Sequence, residues 1–183
     1  MSDSWVFPFD LLFNHRLPGP VGDLIETVRP LCMTPPSPWG EWVYAHLIAA
    51  KLGDVEGDFV ELGVGLGGMA LFLGHLAWQM DRKVLAVDTF TGLPEPDRIR
   101  DNTYFQSGDY RHALGGGLEA FTGWIEHFGL VDVCEARQGR FEAVLAALEP
   151  ARRFAFVHID CDLYGSTRTA LEGVWDRVTP GGV

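Results

Sequence analysis

Gly57-Asp58-Phe59-Val60-Glu61-Leu62-Gly63-Val64-Gly65-Leu66-Gly67-Gly68 is the stretch that decides the fold. Phe59 to Leu62 reads as a short strand, and the glycines after it allow a tight turn into a helix. Met69, Phe72, Leu73, Leu76 and Met80 are expected on one face of that helix. Gly63, Gly65 and Gly68 satisfy G-x-G-x-x-G, a spacing that lets backbone approach a ligand at a helix N-terminus. Downstream, strand and helix patterns alternate. Lys83 to Asp88 predicts a second strand, Val131 to Ala136 a third and Phe154 to Asp160 a fourth. Helical stripes fall between and after them: Leu118, Phe121, Trp124, Ile125 and Phe128; Phe141, Val144, Leu145 and Leu148; Ala170, Leu171, Val174, Trp175 and Val178. Near-continuous apolar strands alternating with helices predict an α/β fold, a parallel sheet covered on both faces.

Upstream, Ser37-Pro38 reads as a helix start, with Trp39, Val43, His46, Leu47 and Ala50 at helical spacing and Gly53 closing the helix. Residues 1–36 carry Pro8, Pro18, Pro20, Pro30, Pro35 and Pro36 and are expected to be irregular, forming a lid or an oligomer contact. Residues 37–183 are expected to form the ligand-binding domain. Pro180-Gly181-Gly182 is a turn that leads into a further strand, so the sheet is expected to break off at the start of its fifth strand.

The 183 residues, 47% hydrophobic and 21% charged, suffice for a folded core. Twenty-five Asp and Glu against 14 Lys and Arg give a net charge of −11, which opposes nucleic-acid or anionic-membrane binding. The three cysteines, Cys32, Cys134 and Cys161, form no C-x-x-C pair, so neither a disulfide framework nor structural zinc is indicated. The N-terminus shows no basic region before an apolar stretch, and the run Leu62 to Gly74 is shorter than the roughly 20 residues of a membrane span. A cytoplasmic protein is expected.

Acidic residues at strand ends sharpen the ligand. Asp88, closing the second strand, stands where a nucleotide-binding sheet places the carboxylate that accepts ribose hydroxyls, which suits NAD and S-adenosylmethionine (SAM) alike. Glu61 discriminates between them. A carboxylate beside the glycine loop would repel a pyrophosphate, whereas it favours the ammonium and sulfonium of SAM. Paired with a nearby Lys or Arg, Glu61 would be structural only. At the end of the fourth strand, Asp160 and Asp162 point to one side if the extended geometry continues. Such a pair can hold Mg2+ or supply a general base, while Asp162 or Ser166 could instead cap the next helix. His46, His75 and His158 are expected to be packing positions, His112 and His127 stay open, and Trp5, Trp39, Trp42 and Trp124 are expected in core or interface.

Taken together, Gly57 to Val64, Val87-Asp88-Thr89-Phe90-Thr91-Gly92-Leu93-Pro94, Asp160-Cys161-Asp162-Leu163-Tyr164-Gly165-Ser166-Thr167 and Pro180-Gly181-Gly182 resemble the macrocin O-methyltransferase family. Met33-Thr34, Gly108-Asp109-Tyr110 and Gln138-Gly139-Arg140-Phe141 add to the likeness, which runs from about residue 30 to the end. The resemblance implies a Rossmann-like class I SAM-dependent methyltransferase that methylates a hydroxyl on the sugar of a glycosylated natural product. It implies that Glu61 and Gly63, Gly65, Gly67 and Gly68 hold the methionine part of SAM, that Asp88 takes the ribose with Phe90 beside the nucleoside, and that Gln138, Gly139 and Arg140 flank the adenine. Asp160 would be a Mg2+ ligand and Asp162 the general base or a supporting carboxylate. The family completes its metal site with two aspartates just after Pro-Gly-Gly, beyond Val183, and Cys161 stands where many members have glycine. Dimerisation through the N-terminal segment is an expectation by family analogy. An NAD-dependent oxidoreductase and a non-catalytic SAM-binding module are the competing functions.

Overall fold

The computed structural model describes residues 19–31, 39–111 and 117–183. Trp5, Cys32, Met33, Thr34, Ser37, Pro38 and His112 lie outside them, as does most of the segment expected to form a lid or oligomer contact. Four parallel strands, β1 (Asp58–Leu62), β2 (Val84–Asp88), β3 (Cys134–Gln138) and β4 (Phe154–Ile159), form one sheet in the order β3-β2-β1-β4. Among the described residues six α-helices surround it: α1 (Pro20–Val28), α2 (Trp39–Ala49), α3 (Gly68–Gln79), α4 (Leu118–His127), α5 (Phe141–Ala146) and α6 (Tyr164–Val174). The expected α/β architecture with both faces covered is the one observed.

Strand alternation builds the two layers. Phe59, Val84 and Ala86 join the core with α1 to α4, whereas Val60, Leu62, Leu85 and Val87 face Leu145, Ala170 and Val174 of α5 and α6. Helix α3 is buried almost all round, from Gly68 through Gly74 and at Leu76 and Ala77, where a single stripe was expected. It lies between the sheet and the helices α1 and α2, so apolar residues serve it on every side. Its contact with β3 is close: a β carbon on Gly74 would lie 2.5 Å from the Cys134 sulfur.

The structure corrects the expected boundaries at several points. The N-terminal segment is not irregular throughout, because Pro20 takes the first helical position of α1, where its missing N–H costs nothing. Strand β3 begins at Cys134 rather than Val131. The Leu130 carbonyl accepts the amides of both Val133 and Cys134, holding that stretch in a turn, and Val131 is exposed. β4 ends at Ile159, one residue before Asp160. Helix α6 stops at Val174; Leu171 and Trp175 are exposed rather than packed on the sheet.

At Thr179-Pro180-Gly181-Gly182 the Gly182 amide donates to the Thr179 carbonyl with Gly181 at φ +90°, the geometry of a type II turn with proline and glycine at its two centre positions. The turn sets Val183 beside β4, donating to the Ala155 carbonyl and accepting from the Val157 amide. This is the parallel pairing with which a fifth strand would begin. Among the described residues no helix is long and apolar enough to cross a membrane.

The chain passes from β1 outward to β2 and β3, then returns to β1's other side as β4. The reversal opens a crevice at the carboxyl ends of β1 and β4.

Ile25 and Val28 of α1 are fully buried in the α1–α4 core. Replacing Ile25 by alanine is expected to cost about 2–5 kcal/mol in denaturant unfolding. An unchanged transition would mean that α1 is not part of the cooperative core.

Candidate functional site

A cleft of about 540 Å³ occupies that crevice. Its walls are the loop after β1, the loop after β2, the β3–α5 turn and the segment between β4 and α6. Of the sequence-predicted residues, Glu61, Gly63, Gly65, Gly68, Asp88, Phe90, Gly139, Arg140, Asp160 and Asp162 all line it. Two expected cofactor residues do not. Gly67 (φ +98°) caps α3 against the Phe121 ring, which a β carbon there would approach to 2.3 Å. Gln138 donates its side-chain amide to the Thr89 carbonyl at 3.0 Å and so braces the loop after β2.

Asp88 has a structural task that the sequence did not announce. One carboxylate oxygen accepts the Val64 and Gly65 amides at 2.8 and 3.2 Å, and the other accepts the Phe90 amide at 2.7 Å. A carboxylate offers about four acceptor positions; three are engaged by backbone and the Thr89 hydroxyl lies 3.4 Å from Oδ1 at the fourth, leaving little for a ribose. Phe90, at φ +52°, stacks on Phe121 at 5.8 Å between centroids.

Glu61 is 2% exposed and lies on the β1 face of the cleft. In the β1–β4 register it is paired with His158, whose Nδ1 lies 3.1 Å from its Oε1. Its Oε2 is buried with no hydrogen-bond partner among the described residues. The partner is thus a histidine, not the Lys or Arg of the purely structural alternative, and His158 is more than a packing position. His75 satisfies its ring through the Leu71 carbonyl at 3.0 Å, and His127 is exposed on α4.

Beyond β4 the extended geometry does not continue. Asp162 adopts φ +46°, and the Leu163 amide turns back to the Cys161 carbonyl. Asp160 and Asp162 therefore share the cleft through a turn rather than by strand alternation. Neither Asp162 nor Ser166 caps α6. The cap comes from far away in sequence: Asp101 accepts the Tyr164 amide at 2.6 Å, while its other oxygen accepts the Asp97 amide at 2.6 Å. Arg100 lies 5.0 Å over the Tyr164 ring, and Tyr110, another cleft residue missed in the sequence, takes φ +65°. Cys161 lines the cleft as well and packs with the α5–α6 core, its thiol donating to the Leu62 carbonyl at 3.1 Å.

Known proteins agree with this architecture. The macrocin O-methyltransferase (TylF) profile matches residues 45–183. The chain belongs to that family. Among curated relatives it is 33% identical over 144 residues to 8-demethyl-8-(2,3-dimethoxy-alpha-L-rhamnosyl)-tetracenomycin-C 4'-O-methyltransferase of Streptomyces olivaceus, covering 75% of this chain and 55% of that protein. It is 30% identical over 149 residues to mycinamicin III 3''-O-methyltransferase of Micromonospora griseorubida, covering 75% of this chain and 57% of the relative. The chain thus spans little more than half the length of these relatives. The structure of the O-methyltransferase NovP superposes with a TM-score of 0.61 at 25% identity, over 76% of this chain and 61% of that one. CalS11, a calicheamicin methyltransferase, superposes with the same TM-score at 20% identity over 99% and 82%, a likeness of fold.

The family implies a methyl donor, SAM, and the cleft suits it. A buried carboxylate with one oxygen unpartnered calls for a cation, and the volume lies within the range of small-molecule sites. The Mg2+ expectation fares differently. Among the described residues no group of three or more His, Cys, Asp or Glu side chains is placed to hold a metal, and Asp160 with Asp162 falls short of the oxygen set that Mg2+ requires.

Burial governs the charge states here. It raises Glu61 to about 7, an effect that His158 partly offsets and that Asp160 and Asp88 reinforce. Burial and the neighbouring Asp160 raise Asp162 above its ordinary value, and burial with the charge of Asp162 raises Tyr110. Cys134 and Cys161 are pushed up to about 12 by burial, which removes both as nucleophiles.

A folded-state pKa above the unfolded value gives stability that is complete below about 4.5 and is lost as pH rises through about 7. Between those limits the unliganded protein is expected to lose stability relative to a Glu61→Gln variant. Parallel stability curves for the two proteins, measured by urea unfolding across that range, would contradict the assignment.

Proposed function

We propose that this chain binds SAM in the β1–β4 crevice and serves a methyl transfer to a hydroxyl on the sugar of a small glycosylated natural product. The observation that carries the reading is Glu61: a buried carboxylate beneath the glycine loop with an oxygen left for a ligand. An ammonium gains from that neighbour, and a dinucleotide pyrophosphate would be repelled. Relatives named as O-methyltransferases of a rhamnosyl-tetracenomycin and of mycinamicin support the acceptor class.

In this reading Glu61 holds the ammonium of the methionine portion. Gly63 and Gly65 let the backbone pass close to the ligand, and Asp88 holds their loop in shape; a ribose hydroxyl would reach its Oδ1 only by taking the place of the Thr89 hydroxyl, 3.4 Å away. Phe90 lies against the nucleoside, and Gly139 and Arg140 lie beside the adenine. SAM supplies an electrophilic methyl on a sulfonium. With SAM bound, Asp162 would take the proton of the acceptor hydroxyl as its oxygen gains the methyl, and S-adenosylhomocysteine would be the leaving group beside the methyl ether. An elevated pKa makes Asp162 a better base than an ordinary surface aspartate. Asp160 raises it by proximity and would be one Mg2+ anchor, to which further oxygen ligands would have to be added.

Titration with SAM and, separately, with NAD decides the class: SAM binding without an NAD signal is expected, and the reverse would sink the proposal. Because the ligand needs ionised Glu61, its Kd is expected to rise about tenfold from pH 8 to pH 6, a dependence that Glu61→Gln should abolish.

Transfer of labelled methyl from SAM to a polyketide bearing a deoxysugar tests turnover. Asp162→Asn is expected to slow that transfer by about 10²–10⁴-fold while leaving SAM affinity within about threefold. SAM binding with no transfer to any such acceptor would favour a non-catalytic SAM-binding module.

A further inference from the structure

We infer that His158 is a positioning residue for the cofactor's amino-acid end: by holding Oε1 of Glu61 it commits Oε2 to the ligand. The inference rests on the SAM reading above and assigns a part to a residue outside the glycine loop and outside the Asp160–Asp162 pair. Three observations carry it. Glu61 and His158 are register partners on adjacent parallel strands, so the backbone itself sets their side chains next to each other on one face. Nδ1 stands 3.1 Å from Oε1, within hydrogen-bond distance. The second oxygen, Oε2, is buried and unpartnered although Glu61 lines the cleft.

A buried carboxylate with both oxygens free can rotate and relax, and each orientation presents a different geometry to an ammonium. A donor fixed by the sheet removes that freedom before the ligand arrives, which lowers the ordering cost of binding. For His158 to donate from Nδ1 to ionised Glu61, the ring must carry its proton on that nitrogen. The rest of the cofactor gains nothing from this pair. Its effect should therefore be confined to ligands that possess the amino-acid end.

The experiment compares three ligands on the full chain at pH 8: SAM, S-adenosylhomocysteine, and 5'-methylthioadenosine, which lacks the amino-acid end. His158→Leu is expected to weaken the first two about tenfold or more and to leave methylthioadenosine within about twofold. His158→Asn, whose side-chain amide nitrogen stands near the Nδ1 position, is expected to restore binding to within about threefold. Equal loss for all three ligands, unchanged SAM affinity in the leucine variant, or no rescue by asparagine would overturn the inference. A wild-type chain that binds no SAM at all would instead bring down the functional reading beneath it. Should the leucine variant fail to fold, nitrogen-15 shifts of the wild-type ring decide. A proton on Nδ1 supports the positioning role, and a neutral ring protonated only on Nε2 overturns it.

Discussion

Gly63 is the point where two exits of the sheet touch. A β carbon there would lie 2.0 Å from the Asp160 carbonyl oxygen, and φ is +96°, so no other residue fits without moving one of the two strands. The Gly63 amide donates to the Val87 carbonyl and the Asp160 amide to the Leu62 carbonyl, which ties β2, β1 and β4 together at this level. The acidic side of the cleft is built around that junction. The glycine loop leaves it on one side, the Asp160–Asp162 turn on the other, and Glu61 sits two residues beneath it on the central strand.

That arrangement concentrates negative charge. Glu61, Asp88, Asp160 and Asp162 all line one cleft in a chain of net charge −11. Backbone amides relieve Asp88, and His158 partly relieves Glu61. Burial, and after it the charge of the neighbouring Asp160, raises the pKa of Asp162. Such a site is poised for a cation, because a positive ligand removes repulsion that the empty cleft must bear. The glycine-loop geometry alone does not say this, since the same loop on other sheets receives phosphates. It is the carboxylate before the glycines that reverses the preference.

The residues legible in the sequence were those whose neighbours in space are also neighbours along the chain. The strand–glycine–helix run, the acidic strand ends and the parallel order of elements followed from local pattern and from the crevice rule for open sheets. What stayed hidden depends on register and on long-range contact. His158 meets Glu61 across 97 positions only because β4 lies beside β1 in one particular register. Asp88 looked like a ribose acceptor, but its bonds to the Val64 and Gly65 amides depend on how the loop folds back over β2. Pro20 read as a breaker in a proline-rich stretch, whereas at the first helical position proline initiates. β3 starts later than the pattern suggests because Val131 and Val133 have strand character while the Leu130 carbonyl accepts the Val133 and Cys134 amides in a turn.

The long connection after β2 shows how the site's two walls are joined. Leu93 donates to the Asp109 carbonyl and accepts from the Gly108 amide, closing the loop at its base, and Gly92 admits that approach because a β carbon would lie 2.7 Å from both carbonyl oxygens of residues 108 and 109. From the closed loop Asp101 reaches the first amide of α6, which has no cap of its own. A capping carboxylate is worth about 1 kcal/mol to a helix, modest beside the core. Its larger effect is geometric. The helix that it caps begins two residues after Asp162, so the loop that carries Tyr110 and the turn that carries the candidate base are held in one frame. Loosening that cap would alter the distance between the two walls before it altered the fold.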